Sequence, residues 1–199
     1  MWTRLVVALL LRPSAAETAP SQTTITCTTN VDVGDGKLVI EMWDQTAPIG
    51  VERVVALAES GFLDGLPFFR AIAGFLIQFG ISPDSEKQAR VEAMGNIKDD
   101  PPSNIPFTDG VVSFAGYGKD SRGSHLFLTL GNQPGLGKSP WEVPVGKVVA
   151  GLDVMRKIYT GSRPEPQMVP RSRRSIADIT DHCTVRVLQG TATRSTKAG

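Results

Sequence analysis

The chain has 199 residues, 41% of them hydrophobic and 21% charged, with a formal net charge of +1. Those values fit one soluble globular domain with a full core. They exclude a disordered or highly basic chain, so no global electrostatic pull on nucleic acid or acidic membranes is expected. In chain order, residues 1–16, MWTRLVVALLLRPSAA, read as a signal peptide: Arg4, an apolar run over Leu5–Leu11, then small residues at Ser14–Ala16. The run is too short to span a bilayer, and secretory or extracellular localisation without stable membrane insertion follows as an expectation. Lys197-Ala198-Gly199 is no endoplasmic-reticulum retention signal.

Thr23–Thr29 and Lys37–Trp43 alternate as strands around the Asp32–Gly36 turn. Pro48–Ser60 switches to helical period, with Val51, Val54, Val55 and Ala58 on one stripe and Gly61 as the stop. Pro67–Ile72 and Phe75–Phe79 are strand-like and joined by Ala73-Gly74. Strand alternation sets Phe75, Ile77 and Phe79 on one face, opposite Leu76 and Gln78. Ile81–Asn104 loses all pattern and reads as a long surface excursion. Val111–Gly116, His125–Leu130 and Gly146–Ala150 are further strands, separated by the glycine-rich Tyr117–Gly123. Gly151–Tyr159 is a short helix, and Ser162–Ser175 a Pro- and Arg-rich loop. Cys183–Leu188 is a last strand, and the residues from Gly190 on look disordered. The expected domain covers residues 17–190, with a tail at 191–199. Short strands, many turns and two helices make a mainly β barrel or sandwich.

Several motifs invite other chemistry and fail. Gly131–Ser139 has one residue too many between Gly and Gly-Lys for a phosphate loop, and Pro140 and Pro144 forbid the helix it needs. His125 and His182 have no neighbours at metal-ligand spacing, and Ser124-His125 is no triad. No metal and no cofactor are expected. Arg171–Arg174 reads as a solvated loop rather than a processing site or acidic-partner patch.

One stretch stands apart. Phe62–Gly80, FLDGLPFFRAIAGFLIQFG, holds Arg70 and Gln78 among apolar residues. A cation and an amide beside an apolar surface suit a ligand that is both greasy and carbonyl-rich. Taken alone, the same pattern fits an Arg70 paired with a carboxylate over core phenylalanines.

This stretch resembles the signature F-x-D/N-x-x-x-F-H-R-V-I-P-G-F-M-x-Q-G-G-D of the cyclophilins, through Phe62, Asp64, Phe68 or Phe69, Arg70, Ile72, Gly74, Phe75 and Gln78. Val111–Leu130 resembles the S-F-A-G-Y-G…T-Q-L-F-I variants of the family's second block, and Val143–Val154 its F-G-K-V-x-x-G-x-D-V block. The resemblance spans about Gly36–Tyr159. It implies a closed antiparallel barrel of about eight strands capped by two helices, with the pocket on the outer face. It also implies peptidyl-prolyl cis/trans isomerisation of X-Pro bonds in protein chains, assisting folding, by a monomer that acts on proline-containing clients and takes a cyclosporin-type ligand. Carried over residue by residue, Arg70 is catalytic. Phe75, Leu76, Phe127 and Leu136 line the proline pocket, Gln78 orients the peptide and Arg70, and Ala115 and Gly116 meet the peptide main chain.

The sequence also departs from the pattern. Ala73 replaces proline, Phe79-Gly80-Ile81 replaces Gly-Gly-Asp, and His125 replaces glutamine. The rim aromatic falls near Gly135 or Leu136. The pocket-closing His or aromatic falls on Glu142, or on a displaced Trp141, and Glu142 could draw Arg70 into an ion pair. The alternative function is a catalytically weak module that binds proline-containing segments. The first and last strands of such barrels are close, so Cys27 and Cys183 are a disulfide candidate in an oxidising compartment.

Overall fold

The computed structural model describes residues 23–29 and 35–160, and the backbone of 182–189. The signal-like residues 1–16, the basic run 171–174 and the tail 191–199 lie outside the described residues.

Among the described residues, nine strands form a single antiparallel sheet. In chain order they are β1 (Thr23–Thr29), β2 (Lys37–Met42), β3 (Leu66–Pro67), β4 (Arg70–Ile72), β5 (Leu76–Phe79), β6 (Val111–Phe114), β7 (Leu126–Thr129), β8 (Gly146–Ala150) and β9 (His182–Gln189). Their order across the sheet is β3-β9-β1-β2-β8-β6-β7-β5-β4. The two edge strands, β3 and β4, are consecutive in the chain, separated only by Phe68 and Phe69. The sheet therefore curls, and the short Phe68-Phe69 link brings its two edge strands to neighbouring positions in the chain. The sequence read Pro67–Ile72 as one strand. Here it breaks at Phe68-Phe69, and its halves pair with different neighbours: Leu66 with Cys183, Arg70 with Gln78.

Side chains alternate across the barrel wall as period two requires. Ile25, Leu38, Ile40, Ile77, Phe79, Val112, Phe114, Leu126 and Leu128 point into one buried cluster. Residues between them point outward. The helix α1 (Pro48–Glu59) lays Val51, Val54, Leu57 and Ala58 on that cluster, and α3 (Leu152–Thr160) adds Val154, Met155 and Ile158. The stripe on α1 runs through Leu57, with Val55 only half-buried.

A third helix, α2 (Ser85–Ala93), corrects the reading of Ile81–Asn104 as patternless loop. It buries only Val91, so it lacks the apolar stripe that marks a helix in sequence. Its start is nonetheless well defined: the Asp84 carboxylate accepts from the Glu86 and Lys87 amides at 2.9 and 3.1 Å, the work of an N-cap. The Lys87 ammonium donates to the Gly61 carbonyl, and the Gln88 amide oxygen accepts from the Ser82 backbone, fixing α2 beside the barrel.

α1 begins without a side-chain cap of its own, since Ala47 stands at that position. Asp100 supplies it from 50 residues downstream, accepting from the Ile49 and Gly50 amides at 2.9 Å each. Its Oδ2 also accepts from Arg122 Nη1 at 2.7 Å. Both side chains are wholly buried. Asp99 lies 3.5 Å from Arg122 Nε and exchanges backbone-to-carboxylate hydrogen bonds with Asp120. This ionic knot fastens residues 98–100 and 120–122 to the start of α1.

Candidate functional site

The outward residues of β5, β6 and β7 do not face water. Leu76, Val111 and Phe127 form a second buried apolar cluster with Phe107 on the outside of the barrel. Half-buried Phe75, Ala115, Leu136 and Trp43 pack against it. This second cluster is separate from the main core between the sheet and the helices.

The hairpin β4–β5 carries the polar part. Its register sets Arg70 opposite Gln78, and Gln78 opposite Phe127 on β7. Arg70, Gln78 and Phe127 thus form one row across three strands and share a face. Arg70 Nη1 donates to Gln78 Oε1 at 2.8 Å, and its guanidinium carbon stands 5.9 Å from the centroid of the Phe75 ring. One side chain holds the cation laterally and another supports its flat face. Arg70 is exposed, so its remaining donors are open to a ligand.

Phe75 corrects the alternation read from sequence. It belongs to the turn between β4 and β5, not to β5, so it joins Leu76 on the outer cluster rather than Ile77 and Phe79 inside. Gly74 makes that turn with φ 64°, a left-handed conformation that favours glycine. The turn is held from outside the hairpin: Gln133 Nε2 donates to the Gly74 carbonyl at 2.7 Å, and the Leu130 amide to the Phe75 carbonyl at 2.8 Å.

The remaining expected residues divide. Ala115 and Leu136 join the cluster. Gly116 is covered by Trp141: a Cβ built on it would lie 2.6 Å from the indole Cδ1 and 2.8 Å from Ser121 Oγ. Trp141, not Glu142, is thus the side chain that lies against Gly116. Glu142 Oε2 accepts from the Gly137 and Ser139 amides at 3.1 and 3.3 Å and staples its own loop. Among the described residues it makes no ion pair with Arg70, so the competing pair raised from sequence does not form. His125 stands outside the apolar cluster, edge-on to Phe69 at 5.9 Å, and lines a separate cavity that shares Ala115. Burial pushes its pKa below the ordinary 6.5, and the Glu92 carboxylate offsets part of that shift. Cys27 is buried and disulfide-bonded; β1 pairs with β9, where Cys183 stands opposite Thr29.

Sequence reasoning missed Phe107. It stacks on Phe127 with centroids 5.9 Å apart and planes 18° apart, and both rings are at most 4% exposed. It lies in the irregular segment before β6, where no periodicity marks a wall residue.

A family model described as "Cyclophilin type peptidyl-prolyl cis-trans isomerase/CLD" matches residues 24–180. The chain belongs to the cyclophilin family. Among cyclophilin relatives, peptidyl-prolyl cis-trans isomerase-like 3 of Gallus gallus is 32% identical over 157 residues, covering 78% of this chain and 94% of its own. Peptidyl-prolyl cis-trans isomerase ppi1 of Schizosaccharomyces pombe is 33% identical over 126 residues, covering 62% and 79%. A crystal structure of a Cryptosporidium parvum cyclophilin matches with TM-score 0.62 at 19% identity, covering 85% of this chain and 99% of that one. The same protein, crystallised in the presence of the dipeptide Ala-Pro, matches with TM-score 0.61 at 18% identity, covering 84% and 99%. Those two likenesses concern the fold.

Proposed function

We propose that this cyclophilin catalyses cis/trans isomerisation of X-Pro bonds in protein chains and so assists their folding. The observation that carries the reading is Arg70, held by Gln78 and backed by Phe75 at the edge of the Phe127 cluster. Amide resonance sets a barrier of about 20 kcal/mol to rotation of an X-Pro bond. Twisting the bond breaks the resonance and returns a lone pair to the prolyl nitrogen. A fixed cationic donor at that nitrogen stabilises the twisted state more than the planar one, which is differential binding. Arginine keeps its charge at every relevant pH and needs no proton transfer for this. The apolar cluster holds the proline ring. Backbone groups of Ala115 and Gly116 grip the peptide while the remainder rotates.

The Ala-Pro dipeptide used with the Cryptosporidium protein supports a proline-containing ligand for this fold. The test is exchange spectroscopy on a prolyl peptide with wild type and Arg70→Ala. Loss of a preorganised donor should lower kcat/KM by about 10²–10³, while peptide affinity falls far less.

A second reading, a proline-segment binder with little turnover, is favoured by the Phe107 ring stacked on Phe127, which leaves that ring nearly covered. Peptide binding by wild type without catalysed exchange would establish it. Secretion of a chain beginning near Glu17, a Cys27–Cys183 bridge and a cyclosporin-type ligand belong to the same proposal. The pairing of β1 with β9 supports the bridge. Intact mass of secreted protein, thiol titration under denaturing non-reducing conditions, and competition against the prolyl peptide check them in turn.

A further inference from the structure

The turn between β4 and β5 offers two successive carbonyls to the segment that follows β7, and that segment captures both. The Leu130 amide donates to the Phe75 carbonyl at 2.8 Å, and Gln133 Nε2 donates to the Gly74 carbonyl at 2.7 Å. The same Nε2 donates to the Leu130 carbonyl at 2.8 Å. A side-chain amide nitrogen has two N–H donors, and here each meets a carbonyl. That pattern also fixes which end of the amide is nitrogen, since an oxygen in its place would face two acceptors.

Little else steadies the turn at this point. Gly74 is exposed, with φ 64°, and a Cβ built on it meets nothing within 4 Å. A lone bond from Leu130 would be a pivot, whereas bonds to two adjacent peptide groups fix an orientation. Phe75 follows Gly74 directly, and its ring supports the Arg70 guanidinium that Gln78 holds from the side. The Gln133 amide thus acts on Arg70 through Phe75. The apolar floor of the site does not depend on it, because Leu76, Phe107 and Phe127 are buried on other segments. Gln133 also touches that floor through its main chain alone: its N–H donates to the Phe107 carbonyl at 2.7 Å, and its carbonyl accepts from the Leu136 amide at 3.1 Å. Those bonds survive a change of side chain.

We propose that Gln133 is a positioning residue for the isomerisation: its amide clasps the Gly74-Phe75 turn and so sets the ring on which the Arg70 guanidinium rests. The proposal rests on the isomerase reading and names the residue, outside the hairpin, on which the geometry of its donor depends.

The test is Gln133→Met, which keeps side-chain length and main-chain bonds and removes both donors. For a prolyl peptide kcat should fall about tenfold, within the ~10²-fold that a misplacement of about 1 Å can cost. KM should change less than about twofold, the pattern of an interaction made in the transition state. Gln133→Glu, of the same shape but with no N–H to donate at neutral pH, should act alike. In an Arg70→Ala background there is no donor left to misplace, so Gln133→Met should alter the residual rate by less than about twofold. A merely structural role would cost the same factor in both backgrounds. In the peptide-free protein the Arg70 Nε–H NMR resonance should shift and broaden on Gln133→Met. An unchanged kcat, a loss carried by KM, an equal loss without Arg70, or an unmoved Nε–H resonance overturns the proposal. If wild type binds peptide without turnover, the isomerase reading fails and the Nε–H resonance alone decides whether the clasp sets Arg70.

Discussion

Replacing Asp100 by alanine should destabilise the protein by about 3–5 kcal/mol, the range for breaking a buried ion pair by deleting one partner. Three donors lose their acceptor at once: Arg122 Nη1 and the amides of Ile49 and Gly50. Loss of a helix cap alone is about 0.5–2 kcal/mol. The rest is the buried guanidinium. It is not wholly abandoned, because Asp99 stands 3.5 Å from Nε and the Lys98 carbonyl accepts from Nη2, which keeps the total below a simple sum. With a urea slope of about 2 kcal/mol/M, the midpoint should fall by about 1.5–2.5 M at unchanged slope, followed by tryptophan fluorescence. Asp100→Asn combined with Arg122→Met removes both charges and should be more stable than Asp100→Ala, since no ion is left stranded and the amide oxygen still accepts from the start of α1. A midpoint shift below about 0.5 M for Asp100→Ala, with the slope unchanged, would refute the claim that this knot holds α1 to the loops around the second cavity.

Three further outcomes follow from the site. Glu142→Gln should leave kcat/KM within about threefold, the scale of one neutral hydrogen bond, because the carboxylate serves its own loop; a large gain would mean that it restrains Arg70. Gly116→Ala should cost about 1–3 kcal/mol through overpacking and shift Trp141 emission, since the new methyl lands 2.6 Å from the indole; an unchanged spectrum and midpoint would contradict the contact. His125 has its pKa lowered from 6.5 by burial, so the unfolded chain binds the proton more readily. Stability should hold above pH ~6.5 and decline as the pH falls from there through the folded-state pKa. His125→Gln should flatten that decline in urea midpoints taken between about pH 7 and 5, and an identical slope in both proteins would assign it elsewhere.

Arg70, Phe75, Leu76, Gln78, Ala115, Phe127 and Leu136 were legible in the sequence, because a short hairpin and ordered motif blocks carry them. What was not legible depends on contacts between distant segments. The cap of α1 comes from Asp100, and nothing near Ala47 announces it. Phe107 sits in irregular chain and acquires its role only by stacking on Phe127. Glu142 and Trp141 exchange the roles that adjacency suggested, since the loop's own amides outcompete Arg70 for the carboxylate. α2 was missed through reliance on apolar periodicity, although Asp84 followed by SEKQ is a readable helix start. Phe68-Phe69 looked like mid-strand because composition does not record a change of pairing partner.

That change of partner has a consequence for synthesis. Among the described residues β3 pairs with β9 alone, and β1 has β9 as one of its two neighbours. Leu66 is thus held by Cys183, a residue added to the growing chain long after every side chain of the Arg70 site has been made. A ribosome-bound chain that stops short of β9 owns the complete set of site residues but not the strand that anchors the segment leading into Arg70. Closure over so long a separation is slow relative to local pairing. Catalytic competence should therefore arrive late, on release of the C-terminal strand, rather than when the last site residue emerges. Between residues 142 and 182 a nascent chain of this protein would be an isomerase in composition only.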